Sequence, residues 1–426
     1  MLRTVFYIPG EVGGIPTFGF GWLLAVWIVF SIALMAWLTY RQGFNADTRG
    51  WLPILFAVAA GIAWLMPNMV EKQGLPIRGF GTMMLAAAIG AMALAAWRAK
   101  RMGIDVDVIY SLAFVMFIAG IIGARLFYIV EYWNDFRAPT LGGKIVELLN
   151  VAQGGLVFYG SVIGAVGAFI GYARFYRLPM LTLGDVIAPS VALGLALGRI
   201  GCFLNGCCYG GVSDVAWAVA FPQGSPPHER QVRDRTIFLH GLKFSEPRDG
   251  PAIVAEVEPG SAAEAAGIAP GDRIWRINEY DIDRVFQAQF ALLRIFGQGK
   301  NVEIAVRGDP QVHRWRIEAV ENSLPVQPTQ LYSSISGALL CLVLLAYTPI
   351  RRRDGEVLAL LATLYPITRF LLEMIRSDEP GIWITGMTIS QNISLVVLFG
   401  AIAMWAYLLS RPRGTVAPIP VAALSQ

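Results

Sequence analysis

Nine long apolar runs dominate the chain, near residues 18–40, 51–67, 79–97, 107–130, 155–173, 184–204, 331–349, 356–375 and 388–409. Each is close to the roughly 20 residues that a helix needs to cross a ~30 Å hydrocarbon layer, where a helix satisfies its own backbone. Between the sixth and seventh runs the pattern changes. Residues 212–326 are charged, proline-containing and made of short alternating segments. Within them Ile253–Asn278 predicts a strand, a short helix, a tight turn and a strand; Val285–Phe296 predicts an amphipathic helix. Asn301–Gly308 and His313–Val320 predict two closing strands. The expected fold is a polytopic α-helical membrane protein of about nine transmembrane helices with an inserted α+β domain.

Composition agrees: of 426 residues, 55% are hydrophobic and 15% charged, which excludes an ordinary soluble protein. Charge then sets a direction. Loops after odd-numbered runs carry Arg41 and Arg49; Arg98, Lys100 and Arg101; Arg174 and Arg177; Arg351, Arg352 and Arg353; Arg411 and Arg413. The positive-inside rule makes those loops cytoplasmic, with the N-terminus and the segment 205–330 outside and the C-terminus inside. The first run is long, begins late and has no A-x-A site after it, so it is expected to remain as a span. The net charge of +4 comes from the flanking loops, and no nucleic-acid motif is present. No nucleic-acid partner is expected.

The inserted segment strongly resembles a PDZ domain of the bacterial type, over about residues 236–322. Pro259-Gly260-Ser261 and Pro270-Gly271-Asp272 fit that family's turns, and Gly241-Leu242-Lys243-Phe244 resembles its carboxylate-binding loop. The resemblance implies binding of protein C-termini or extended peptides by strand addition. A domain that only packs on its own membrane part is the alternative. At the other end, Ile15–Leu24 and Leu75–Leu85 both introduce a run with a G-F-G element, which suggests two helices added ahead of a seven-helix core. The expected division is 1–74, an extra helix pair; 75–211 and 327–412, the two parts of a membrane core; 212–326, the insert; and 413–426, a cytoplasmic tail.

Polar residues inside the runs gather at one depth. At about 1.5 Å per helical residue, Arg199 lies about 22 Å and Arg369 about 20 Å from the cytoplasmic ends of their spans. Arg125 is nearly through the fourth span, and Tyr159 is one turn into the fifth, so all four fall in the outer third of the membrane. Charge inside a bilayer costs roughly 2.5–3.5 kcal/mol per arginine and marks function by default. Arg369, Glu373 and Arg376 are spaced i, i+4, i+7, on one helix face. Glu373 can hold Arg369 in one pose, and the guanidinium fork matches phosphate oxygens. The set reads as a phospholipid headgroup site; structural ion pairs or snorkelling arginines are the alternative.

Three of the four cysteines, Cys202, Cys207 and Cys208, sit in the glycine-rich stretch GRIGCFLNGCCYGG (Gly198–Gly211); Cys341 lies within a run. Their place near the outer face permits a disulfide. C-x4-CC matches no standard zinc spacing and no histidine is near in sequence, so the expectation is small packing residues and no metal or cofactor.

The same segments resemble those of the prolipoprotein diacylglyceryl transferases, from about Pro76 to Pro412. GRIGCFLNGCCYGG resembles that family's signature; Gly155–Ala165, its H-G-G segment; Gln327–Tyr332 and Arg369–Arg376, its two later motifs; and Gly123–Trp133, its early arginine helix. The resemblance implies an enzyme of a bacterial inner membrane. Its substrates would be phosphatidylglycerol and the lipobox cysteine of a preprolipoprotein, and its by-product glycerol 1-phosphate. It implies roles for Arg199, Arg369, Tyr159 and Glu373 in catalysis, and for Arg125, Asn205, Gly210, Arg376, Gln330, Tyr332 and Phe80 in substrate binding. The chain has Tyr159 where the family often has histidine, Phe80 where it often has tyrosine, and Cys202 and Cys207 where it often has asparagine and glutamate. All three histidines, His228, His240 and His313, fall in the insert.

Rival enzymes lack their motifs. A membrane metalloprotease needs H-E-x-x-H, and His228-Glu229 is followed by Val232; a rhomboid-type protease needs G-x-S-G and a membrane histidine. A non-catalytic phospholipid-binding receptor or chaperone, holding envelope proteins on its PDZ-like domain, remains the alternative.

Overall fold

The computed structural model describes residues 4–71, 74–133, 136, 140, 143, 147–148, 154–295, 299–317, 322–376, 381 and 384–414. Phe296, Glu318–Val320 and the tail beyond Gly414 therefore lie outside the described residues. The chain forms two compact units, Met1–Met83 and Met84–Gln426.

In the first unit, β1 (Thr4–Ile8) pairs antiparallel with β4 (Leu75–Arg78), with Tyr7 opposite Pro76, and β2 (Glu11–Val12) with β3 (Ile15–Pro16). Helices α1 (Trp22–Gln42) and α2 (Ala46–Ala60) form a hairpin. Asn45 caps α2 by accepting from the Thr48 N–H at 2.9 Å. Trp27 Nε1 ties the pair together by donating to Leu55 O at 3.0 Å. One G-F-G element immediately precedes α1, and the other opens α3 (Gly79–Arg101).

In the second unit the remaining long helices are α4 (Val106–Glu131), α5 (Phe158–Phe175), α6 (Met180–Asn205), α10 (Thr329–Tyr347), α11 (Glu356–Glu373) and α12 (Ile389–Ser410). Among the described residues, eight helices are long and apolar enough to cross a membrane. The run at 356–375 forms α11, whose 18 residues include Glu356, Arg369 and Glu373, and these charges keep it out of that set. The apolar helices leave large side chains exposed all round, Phe114 at 67% and Phe399 at 70% among them, as lipid-facing helices do. The protein is a multi-pass membrane protein.

Glycine sets how closely α4 and α5 meet. A Cβ on Gly160 would lie 2.4 Å from Gly123 O, and one on Gly164 would lie 2.3 Å from Ala119 O. Bare backbone therefore faces bare backbone, a contact that larger side chains would prevent.

A second lock ties α3, α6 and α11. Pro189 within α6 has no N–H to offer Asp185 O, and Arg98 Nη2 supplies one at 2.9 Å, with Arg98 Nε on Val186 O at 3.0 Å. The Asp185 carboxylate accepts from the Gly355 and Leu358 N–H groups at 2.8 and 2.9 Å, capping α11. Arg98, placed by charge counting among loop residues, is 4% exposed, because α6 needs its donors.

The chain leaves α6 for the insert and returns to α10 side by side. Val212 and Val219 bridge to Val326, Pro222 bridges to Asn322, and Ser323 Oγ accepts from the Phe221 N–H at 2.9 Å. Beyond this neck come α7 (Pro226–Arg233), β5 (Leu242–Phe244), β6 (Val254–Val257), α8 (Ala262–Ala265), β7 (Ile274–Ile277) and β8 (Tyr280–Asp281). Helix α9 (Val285–Leu293), β9 (Asn301–Val306) and β10 (Val312–Arg316) complete it. Strands β5 and β6 pair with each other, and a second sheet has the order β10-β9-β7-β8. Leu242, Phe244, Val254, Ile274, Leu292 and Ile304 fill one core of their own.

Replacing Gly160 by leucine should force α4 and α5 apart and cost about 1–3 kcal/mol, the usual range for overpacking. Gly167→Leu is the control, since nothing lies within 4 Å of a Cβ there. Thermal unfolding in detergent should show a lower midpoint for Gly160→Leu only; equal midpoints would contradict the close contact.

Candidate active site

The last turns of α11 carry the charge pattern. Glu373 is the centre: its side chain is fully buried, and Oε2 accepts from Arg369 Nη1 and, at 3.3 Å, from Arg376 Nη1. Arg369 and Arg376 are nearly buried themselves, at 13% and 6% side-chain exposure. Spacing of i, i+4, i+7 brings the three together, and a lone buried carboxylate or guanidinium would cost several kcal/mol. With Glu373 between them, the two arginines keep one net positive charge.

Helix α12 adds the next link. Thr388 caps it reciprocally with Gln391, the Gln391 N–H donating to Thr388 Oγ1 at 3.2 Å. That start sets Ser390 in the first turn, where Oγ accepts from Arg369 Nη2 at 2.8 Å and lies 3.0 Å from Tyr159 OH. A continuous polar chain thus runs Tyr159–Ser390–Arg369–Glu373–Arg376. Nothing in the sequence singles out Ser390 as a site residue. The T-x-x-Q capping box was its only signal, and a serine there reads as part of a helix start.

Arg199, in the last turns of α6, lines the same small cavity as Arg369, about 20 Å³ in volume, with Leu195, Ser336, Tyr365 and Thr368. Its guanidinium makes no hydrogen bond or ion pair to the described residues. Arg199 and Arg369 therefore converge from α6 and α11, as donors of one sign around one space, with Arg369 held by Glu373 and Ser390. Such a pair favours an anion, and the guanidinium fork favours a phosphate.

The segment after α6 forms one wall. Asn205 is the last helical residue and is half-buried; Gly206, at φ 79°, reverses the chain in a left-handed C-cap. The start of α10 pins the reversed strand: Gln330 Nε2 donates to Cys207 O at 2.8 Å and Thr329 Oγ1 to Cys208 O at 2.7 Å. The Gly210 N–H donates to Gln327 O at 2.8 Å, and Gly210 bridges to Arg376. A Cβ on Gly210 would lie 2.9 Å from both Gln327 Cβ and Thr329 Cγ2, so a larger residue would push this wall off α10. Tyr332 OH accepts from Trp217 Nε1 at 2.6 Å.

Arg125 directs its donors elsewhere. They go to the carbonyls of Glu147, Leu148, Gly154 and Gly155 at 2.6–3.1 Å, with the Tyr128 ring 5.2 Å from the guanidinium carbon. This arginine holds the connection that leads into α5 and Tyr159. Phe80 opens α3 within the first unit and is 40% exposed. In the insert, Leu242 and Phe244 point into its core, Lys243 pairs with Glu256 at 3.1 Å, and Gly241 takes φ 85°.

Residues 67–407 match the family model described as prolipoprotein diacylglyceryl transferase. The chain belongs to this family. A relative in Rhodopirellula baltica, named phosphatidylglycerol–prolipoprotein diacylglyceryl transferase, is 34% identical over 93% of this chain and 87% of its own length. Relatives of the same name in Vibrio cholerae and Synechococcus elongatus are 37% and 33% identical, over 38% and 37% of this chain and 58% and 52% of theirs. The chain thus spans about half the length of those two transferases. It matches the Rhodopirellula transferase over most of both chains.

Glu373→Ala should leave Arg369 and Arg376 unopposed in a buried site and lower stability by about 3–5 kcal/mol. Ser390→Ala, which removes one hydrogen-bonding hydroxyl, should cost nearer 1 kcal/mol. Denaturant unfolding of both variants in detergent micelles checks the order; equal losses would contradict a site centred on Glu373.

Proposed function

We propose that this chain, as a transferase of its family, moves a diacylglyceryl group from phosphatidylglycerol to the lipobox cysteine thiol of a preprolipoprotein. This is the first step of bacterial lipoprotein maturation. The observation that carries the site assignment is the convergence of Arg199 and Arg369 on one cavity. In the reaction the thiolate sulfur bonds to the glyceryl carbon, the bond from that carbon to the phosphate oxygen breaks, and glycerol 1-phosphate leaves. Negative charge grows on the phosphate as that bond breaks, so guanidinium donors placed beside it stabilise the transition state more than the bound lipid. Arg199 and Arg369 fill this role. Glu373 and Ser390 hold Arg369 in its pose, and Arg376 joins Glu373 to the wall at Gly210. Asn205, Gln330 and Tyr332 shape that wall, and Arg125 positions the entry to α5.

The topology that fits this chemistry has nine spans, with α11 counted despite its charges because they serve the site. It is set in a bacterial inner membrane with the N-terminus and insert outside and the C-terminus inside, as the arginine-rich loops require. The insert is read as a PDZ-like domain. Its element order fits that reading, and Gly241–Phe244 form its peptide-binding loop. Side-by-side entry and exit at the neck leave the membrane core continuous across it.

Purified protein given phosphatidylglycerol and a lipobox-cysteine peptide should add a diacylglyceryl mass to the peptide. Arg199→Ala and Arg369→Ala should each lower the turnover rate by about 10²-fold or more, the scale of losing one charge-stabilising donor. Wild-type rates in either variant would contradict the assignment.

A further inference from the structure

We propose that Cys202, Cys207 and Cys208 form a zinc site with an open fourth position, which takes up the acceptor cysteine of the substrate as a thiolate. On the sequence alone the spacing argues against zinc; the fold supplies what the spacing lacks. Helix α6 ends three residues after Cys202, the left-handed turn at Gly206 sends the chain back, and Cys208 itself sits at φ 60°. A left-handed non-glycine residue is costly and persists where its surroundings hold it. Here Gln330 and Thr329 hold the carbonyls of Cys207 and Cys208.

The result is convergence. All three thiols are free and half-buried, and their sulfurs lie within 4.8 Å of one another. Tetrahedral zinc with Zn–S bonds of about 2.3 Å needs sulfurs about 3.8 Å apart, so only a small adjustment separates this arrangement from a bound one. Three protein ligands leave one position for substrate, the pattern of catalytic zinc.

The charges fit as well. Three thiolates on Zn²⁺ carry one net negative charge, and a fourth makes two. The positive charges of Arg199 and of Arg376, which Glu373 shares, act on Cys208 and partly offset them.

The site also supplies something the polar chain lacks. A thiol must lose its proton to attack, and coordination to zinc deprotonates it outright. Among the described residues the three histidines are spoken for inside the insert. His228 is fully buried, His240 packs on Leu292 O at 3.2 Å, and His313 pairs with Asp309 at 3.1 Å. Tyr159 shares its hydroxyl with Ser390.

The step balances. The substrate S–H gives its proton to solvent on binding zinc, and the sulfur then bonds to the glyceryl carbon while the carbon–oxygen bond breaks. The electron pair leaves with glycerol 1-phosphate, and the thioether product, a weaker ligand, departs from the metal. This last step rests on the transferase reading; the metal site does not.

The test separates the two. The full chain, purified in detergent without chelator, is analysed for metal by mass spectrometry, then stripped and reloaded with zinc sulfate or cobalt(II) chloride. About one zinc per chain is expected, lost in Cys202→Ser and Cys208→Ser and kept in Arg199→Ala, with thermal melts reporting folding of each variant. The cobalt form should show a thiolate-to-metal charge-transfer band that grows with a lipobox-cysteine peptide and not with its serine counterpart.

Absence of both zinc and the cobalt band overturns the proposal, whether the thiols are found reduced or as a disulfide. A bound metal whose band ignores the cysteine peptide also overturns it, as does full lipidation activity in metal-free protein, which would leave the transferase standing. Zinc-loaded protein that coordinates the peptide yet transfers nothing would support the site and count against the transferase reading.

Discussion

Burial of Glu373 between two arginines is the constraint on which the site depends. One carboxylate, with no exposed side-chain surface, fixes Arg369 on one side and Arg376 on the other. Arg369 in turn holds Ser390 and through it Tyr159, while Arg376 meets the backbone at Gly210. Elements from four parts of the chain, α5, the segment after α6, α11 and the start of α12, are joined by that one pairing. Two cations on one anion leave a positive surplus, which suits the proposed contact with a phosphate.

Precision here comes from the scaffold behind the charges. Helix α6 carries Arg199 near one end and the Asp185–Arg98 lock near the other. The lock fixes α6 against α3 and α11 by satisfying the carbonyl that Pro189 leaves open. The glycines of α4 and α5 bring those helices to backbone contact, and Arg125 gathers the connection between them onto four carbonyls. Helices locked this way present their arginines from fixed backbone positions, which limits the reorganisation needed when charge develops between them.

Much of this was legible in the sequence, for identifiable reasons. Apolar runs near 20 residues long specify spanning helices because a bilayer allows little else, and the i, i+4, i+7 spacing of Arg369, Glu373 and Arg376 puts them on one face of any helix. Contacts between distant segments were not legible. Ser390 looks like an ordinary helix-start serine until α11 is packed beside it. Arg98 looks like a loop charge until its donors meet carbonyls that lie 87 and 88 residues further along the chain. The cysteines carry no metal-binding spacing, and only the left-handed turns at Gly206 and Cys208 fold them onto one point.

The central claim is that Arg199 and Arg369 hold one phosphate between them. A crystal structure grown in lipid with phosphatidylglycerol would test it most directly. Headgroup phosphate oxygens should lie within about 3 Å of guanidinium nitrogens of both residues. A headgroup bound elsewhere in the protein, with neither arginine touching its phosphate, would contradict it.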